Sequence, residues 1–360
     1  MPHDITSGLN PQQHEAVTTA EGPLLIIAGA GSGKTRVITM RIAAMLESGI
    51  PQRSILALTF TNKAAREMGE RVRIIASRKL RDLTVSTFHS FGVSVLKRHA
   101  YRLGYRDNFS IYDTQDQIAL LRESAREIKM DLEAGEAAKV LQQFSAAKTG
   151  RMRWDDVPTA YRELYADYRE HMKLYNAVDF DDLIILPVKL LSEHPEVLAE
   201  YHERYRYVMV DEFQDTSADQ YRFMKLLADG HRNVAVVGDD DQSIYSWRGA
   251  NYDNFLLFER DFPELREIKL EQNYRSTDTI LAAANGVIAN NENRKAKALW
   301  TGTKSGRPIE LSFPEDESSE GLFIAEMIKT LAMRDGLRYG DVGVLVRTNS
   351  LTRNLEVSFL

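Results

Sequence analysis

Apolar residues fall into two spacings along the chain. Short unbroken runs read as buried strands: 24–28 (Leu-Leu-Ile-Ile-Ala), 55–59 (Ile-Leu-Ala-Leu-Thr), 207–210 (Tyr-Val-Met-Val) and 234–237 (Val-Ala-Val-Val). Leu83 to Ser86 adds another strand, and Leu270 closes one. Between the first runs the spacing turns helical, as in Val37, Ile38, Ile42, Met45 and Leu46, and again up to about Ile75. A short helix starts near Leu9, with Asn10 as N-cap and Pro11 in the first helical position. From about Leu96 to Leu191 the pattern is helical almost throughout, with scattered charge and many tyrosines. A helix over 277–288 follows the later strands. Beyond Arg307 the pattern predicts a strand at 308–313, a helix at 319–333, a strand at 342–346 and a final helix over 350–360. Strands alternating with helices imply an α/β fold with a parallel, doubly wound sheet, and the helical middle reads as an inserted all-α domain.

Composition narrows this picture only slightly. A chain of 360 residues has room for two or three domains with sizeable cores. Its 46 Lys+Arg against 52 Asp+Glu give a formal charge of -6, which excludes a general basic coat but not a local basic or aromatic groove. The absence of cysteine removes disulfides and thiolate metal sites from consideration. The first residues lack a basic and apolar leader pattern, and no apolar stretch has the length to span a bilayer, so a soluble cytoplasmic protein is expected.

The densest candidate chemistry lies at Ala28-Gly29-Ala30-Gly31-Ser32-Gly33-Lys34-Thr35. Glycines let backbone N–H groups turn towards one anion, and the helix start adds positive potential. Lys34 neutralises phosphate, and Thr35 offers a hydroxyl to magnesium. Ala28 replaces the usual first glycine, which is tolerable where no positive φ is needed. Nucleoside triphosphate binding is the working expectation. Upstream, Gln13 either reads an adenine edge or is a plain exposed glutamine.

Further chemistry follows the later strands. Asp211-Glu212-Phe213-Gln214-Asp215 places a magnesium-holding carboxylate at Asp211 and a general base at Glu212. In the stretch from Gly238 to Ala250, Gln242 is suited to sensing a γ-phosphate. Tyr245, Trp247 and Arg248 offer stacking faces and a cation for unpaired bases, unless Trp247 is simply core. Tyr274 is placed to stack an adenine, and Arg275 to reach the transferring phosphate. Residues 148–154 (Lys-Thr-Gly-Arg-Met-Arg-Trp) read as a solvated loop joining helices, with contact to a phosphate backbone as the other reading.

Assembled in this order, the motifs resemble the superfamily 1A DNA helicases, the UvrD/Rep/PcrA family, over almost the whole chain. Residues 9–13 look like the Q motif, with Gln13 reading adenine. Residues 28–35 look like motif I, with Arg36 packing near the nucleotide. Residues 59–65 are similar to motif Ia, which implies that Phe60 and Asn62 face single-stranded DNA. Thr87-Phe88-His89 resembles motif Ib, which puts Thr87 and His89 on the same path. Residues 178–183 (Val-Asp-Phe-Asp-Asp-Leu) match a family segment in the inserted domain. Residues 211–215, 238–249 and 272–275 look like motifs II, III and IV, with Tyr274 flanking the base and Arg275 at the γ-phosphate.

The resemblance implies a RecA-like motor domain over 1–95 and 192–276, an inserted helical domain over 96–191, and the first part of a second RecA-like domain over 277–360. It implies ATP and Mg2+ as cofactors, and single-stranded DNA and single/double-strand junctions as partners. Movement would run 3′ to 5′ in repair or replication, with other proteins of those processes at hand, no membrane, and a cytoplasmic, nucleoid-associated location. Family members run to about twice this length. Their motifs V and VI, with a second arginine finger, are not found. A missing arginine finger costs about 10³–10⁵ in turnover. The expectation is therefore nucleotide binding with poor hydrolysis and no unwinding, which a strand-displacement assay checks. A DNA-binding module without motor activity is the alternative, separated by whether single-stranded DNA stimulates ATP turnover. A small-molecule kinase is a third reading, and it predicts unchanged turnover for Trp247→Ala.

Overall fold

The computed structural model describes residues 5–77, 79–133, 135–245, 249–291, 294–304 and 306–360. Trp247 and Arg248 lie outside the described residues. Two compact units divide the chain, 1–305 and 306–360. In the first unit the strands are β1 (Leu24–Ala28), β2 (Ile55–Thr59), β3 (Thr84–Thr87), β4 (Ser110–Ile111), β5 (Ala177–Val178), β6 (Tyr207–Val210), β7 (Val234–Gly238), β8 (Arg266–Leu270), β9 (Gln272–Asn273) and β10 (Trp300–Thr301). Its helices begin with α1 (Pro11–Thr18), α2 (Lys34–Glu47), α3 (Asn62–Ile75) and α4 (Phe88–His99). Then come α5 (Thr114–Glu127), α6 (Glu136–Lys148), α7 (Thr159–Leu174), α8 (Asp182–Glu193) and α9 (Pro195–Arg204). After β6 follow α10 (Ala218–Ala228), α11 (Asp253–Asp261) and α12 (Asp278–Ile288).

Six strands form one sheet in the order β3-β2-β6-β7-β1-β8, and every pairing is parallel. A parallel sheet carries helices on both faces, which is why its inner strands are apolar at every position rather than at alternate ones. Successive side chains still point to opposite faces. Leu25, Ile27, Leu56, Leu58, Val208 and Val210 pack against Phe91, Phe223, Phe255 and Phe258. Leu24, Ile26, Ala57 and Met209 meet Val37, Ile38, Ile42 and Met45 on the other side. With all strands running one way, the loops after β1, β2, β3, β6 and β7 open on one rim.

Between β3 and β6 the chain leaves the sheet. Helices α5 to α7 build a core of their own, including Leu121, Val140, Phe144, Leu164 and Tyr168. At its foot the Lys148 side chain is nearly buried in the last turn of α6, where Nζ lies 2.7 Å from Asp179 and 2.8 Å from Asp182. Read from sequence as part of a solvated basic loop, Lys148 is instead an internal counter-ion. Its partners come from a segment 31 residues further on. Burial would pull its ammonium down, but Asp182 and Asp179 outweigh burial and hold it above its ordinary value. Lys148→Met is expected to cost about 3–5 kcal/mol, because two carboxylates lose their cation inside the protein. Urea unfolding measures this, and an unchanged midpoint would refute it.

The second unit contains α13 (Glu317–Asp335) and α14 (Thr352–Phe359), which pack on each other. The strands expected at 308–313 and 342–346 do not form. Ile309, Leu311, Phe313 and Leu345 are exposed instead. Alternation alone supplies no partner, and a strand without a neighbour leaves its backbone groups unpaired. No helix among the described residues is long and apolar enough to cross a membrane.

Candidate nucleotide and nucleic-acid site

The loop from Ala28 to Thr35 leaves the end of β1 and opens α2. Ala28 remains in the strand without positive φ, so a side chain there does no harm. Gly33 caps α2 at φ 91, a conformation that an L side chain adopts only under strain. The loop is braced from two directions. Gln13 is buried and donates from Nε2 to the Ser32 carbonyl at 2.9 Å. Its Oε1 accepts from the Asn10 backbone, completing a capping box on α1. On the other side Asn273 Nδ2 donates to the Ala30 carbonyl at 2.7 Å, and the Tyr274 N–H donates to the Gly31 carbonyl at 3.0 Å. Tyr274 is half-exposed, with its hydroxyl bonded to Gln272 and Asn10.

This cradle opens into a cavity of about 270 Å³ lined by Ala30, Gly31, Gly33, Lys34, Thr35, Arg36, Arg71, Glu212, Gln242 and Arg275. Nine of these ten, all but Arg71, are expected nucleotide or phosphate residues, and they come from four separate parts of the chain. The side chain of Lys34 is nearly buried, and its Nζ has no hydrogen-bond partner among the described residues. The nearest carboxylate oxygen is Asp239 Oδ2 at 3.7 Å. A buried ammonium without a bonded acceptor is a costly arrangement unless an anion completes it.

Asp211 and Glu212 follow directly on the end of β6. Asp211 is buried and its carboxyl is pushed up to about 7, by burial first and then by the Glu212 charge. The Glu212 N–H and the Lys34 charge offset this only in part, and a bound cation would stabilise the carboxylate further. Glu212 sits at φ 53, a left-handed conformation uncommon for a non-glycine residue. Two bonds hold it there: its N–H donates to Asp211 Oδ1 at 3.0 Å, and its Oε2 accepts from Gln214 Nε2 at 2.8 Å. Gln214 also accepts from the Asp239 N–H at 3.0 Å through Oε1. One buried amide thus joins the ends of β6 and β7. Gln242 follows in the next turn and donates from Nε2 to Asp239.

Glu212 and Gln242 also line a second cavity of about 530 Å³ with Phe60, Thr61, Asp215 and Tyr245. There Asp215 is pushed up to about 6 by burial and by Glu212. The Phe60 and Tyr245 rings face each other at 6.3 Å and 15°. Phe60 is shared with a third cavity of about 440 Å³, where Asn62, Thr87, His89 and Phe180 meet. His89 stands edge-on to Phe180 at 6.2 Å, and its imidazole is lowered by burial, with Asp181 opposing. Phe180 is 56% exposed, so this ring is presented rather than packed. The expected residues Phe60, Asn62, Thr87, His89 and Tyr245 thus share linked walls. Sequence reasoning gave no site role to Gln214, Asn273 or Phe180. For Gln214 a signal existed, since an amide two residues after Glu212 reaches back to it.

A parallel sheet with a glycine-rich loop at the end of β1 and acidic loops on the same rim defines the RecA-like P-loop class. Within that class, the chain belongs to the UvrD/REP helicase family. Residues 9–263 match the UvrD/REP helicase N-terminal domain, and residues 268–360 match the UvrD-like helicase C-terminal domain. Similar proteins include the ATP-dependent DNA helicase PcrA of Bacillus subtilis, 45% identical over 99% of this chain and 50% of that protein. The PcrA proteins of Leuconostoc citreum and Staphylococcus aureus are each 44% identical over 99% of this chain, covering 49% and 50% of their own lengths. The chain thus spans about half the length of the curated relatives it matches.

Proposed function

We propose that this chain binds ATP and single-stranded DNA as part of an ATP-driven DNA helicase acting 3′ to 5′ at single/double-strand junctions. The observation that carries the reading is the shared wall. Glu212 and Gln242 line both the phosphate-sized cavity and the neighbouring cavity that holds Phe60 and Tyr245. A change at the γ-phosphate therefore has a direct route to the aromatic groove. The relatives named as ATP-dependent DNA helicases support the same assignment.

In this reading Lys34 neutralises the β- and γ-phosphates, and the backbone from Gly29 to Gly33 cradles them. Asp211 and Thr35 would hold a magnesium ion, which would offset the negative charge of the phosphates. The chain's own part is to present the high-lying Asp211 carboxyl, to hold Glu212 as general base, and to set Arg36, Gln242 and Arg275 around the phosphates. Residues 1–95 and 192–276 form the first motor domain, 96–191 the inserted domain, and 277–360 the start of the second. We place the protein in the cytoplasm at the nucleoid, with repair or replication proteins around it.

The test is ATP hydrolysis by the 360-residue chain with and without single-stranded DNA. Stimulation by DNA supports the motor reading, and binding of both ligands without stimulated turnover would favour a binding module. Tyr245→Ala is expected to weaken single-stranded DNA binding by about 1–3 kcal/mol, the value of one base stacked on an aromatic ring. Fluorescence anisotropy with an oligonucleotide reads this directly. Wild-type affinity in that variant would remove the Phe60–Tyr245 pair from the DNA path.

A further inference from the structure

A short ribbon of chain after α12, from Arg294 to Thr301, crosses the loops that build the cavity. Its last residues form β10 and pair with β9. Leu299 lies against Gly29 so closely that a Cβ on that glycine would stand 2.1 Å from Leu299 Cδ2. Any larger residue there would have to displace the Leu299 side chain. Arg294 grips Asp241 with two bonds, at 2.9 and 2.7 Å. Between these anchors Lys297 projects into the acidic turn after β7, and its side chain is 1% exposed. Nζ lies 2.8 Å from Asp239 Oδ1 and 2.7 Å from Asp241 Oδ2, and it also bonds Asp240. Residues 294–301 fall in the stretch that matches the C-terminal domain of the family, yet they pack on the loops of the first sheet.

Asp239 is the contested group in this arrangement. Its Oδ1 takes Lys297, while its Oδ2 takes Gln242 and stands 3.7 Å from Lys34 Nζ. A closed charged hydrogen bond is about 2.7–2.9 Å. Lys34 is therefore held near Asp239 but not bonded to it. Two lysines approach one carboxylate, and the one already seated is Lys297.

We propose that Lys297 is a positioning residue of the nucleotide site: it occupies Asp239, so that Lys34 is not drawn into a closed ion pair and its ammonium stays available to phosphate. The inference rests on the nucleotide-site reading given above. Without Lys297, Asp239 is left with Lys34 as its nearest cation among the described residues. That pair closes, and an incoming phosphate has to break it. Three carboxylates lacking their shared cation also repel the triphosphate.

The test is titration with a fluorescent ATP analogue, beside thermal unfolding, for wild type and five variants. Lys297→Met is expected to weaken nucleotide binding roughly ten- to hundredfold, the size of one hydrogen bond to a charged group. Lys297→Arg restores affinity, because the cation returns. Adding Asp239→Asn to Lys297→Met also restores it, since the amide still accepts from Gln242 but no longer attracts Lys34. If Lys297→Met fails to fold, the double variant Lys297→Met/Asp240→Asn keeps one cation for each carboxylate, Arg294 for Asp241 and Lys34 for Asp239. The same loss of affinity is expected there. Wild-type affinity in Lys297→Met, or in Lys297→Met/Asp240→Asn where the single variant does not fold, overturns the inference, as does a loss that Lys297→Arg or Asp239→Asn does not relieve. A lowered unfolding midpoint with unchanged affinity also overturns it, because that is a purely structural role. Lys34→Ala separates the two levels. If it binds nucleotide as wild type does, the site reading itself falls and takes this inference with it.

Discussion

Lys34→Ala is expected to remove ATP turnover by a factor of about 10²–10³ and to weaken nucleotide binding with it. The ammonium is nearly buried, has no hydrogen-bonded acceptor among the described residues, and faces the cavity with Gln242 and Arg275. Its charge is poorly solvated before an anion arrives, so a phosphate gains much of the interaction that water would otherwise supply. Folding should not suffer, because the replaced group makes no hydrogen bond to lose. Comparing unfolding midpoints with nucleotide titrations separates the two effects. A variant that keeps wild-type affinity would place phosphate elsewhere.

Glu212→Gln is expected to lower turnover by about 10²–10⁴ while nucleotide binding is retained. Glutamine keeps an oxygen for the bond from Gln214 and the same length of side chain, so the left-handed backbone at this position stays braced. What it loses is the ability to accept a proton from water. Removing this charge also removes the second of the two influences that hold the Asp211 carboxyl near 7, so that carboxyl should fall. Single-turnover hydrolysis measures the first effect. Turnover within a few fold of wild type would exclude Glu212 as the base.

The strands β1, β2, β6 and β7 were legible because burial on both faces writes an unbroken apolar run into the chain. The phosphate cradle was legible for a different reason, since its chemistry demands glycines, lysine and threonine at fixed spacing. Asn10 and Pro11 marked the first helix because capping is local. Where reading failed, the deciding partner lies far off in sequence. Lys148 looked solvated because Asp179 and Asp182 come much later, and Asn273 gains its part by reaching back to Ala30. Lys297 carried no motif at all, because its meaning comes from three aspartates more than fifty residues earlier. The strands expected at 308–313 and 342–346 failed through the converse problem, a pattern present without a neighbour to pair with.

The wall that Glu212 and Gln242 contribute to two cavities carries a thermodynamic obligation. Whatever factor ATP imposes on oligonucleotide affinity, the oligonucleotide must impose on ATP affinity in the same sense and size. Four equilibrium titrations close that cycle. The factor they return is the free energy that one side of the wall can hand to the other in each round of binding.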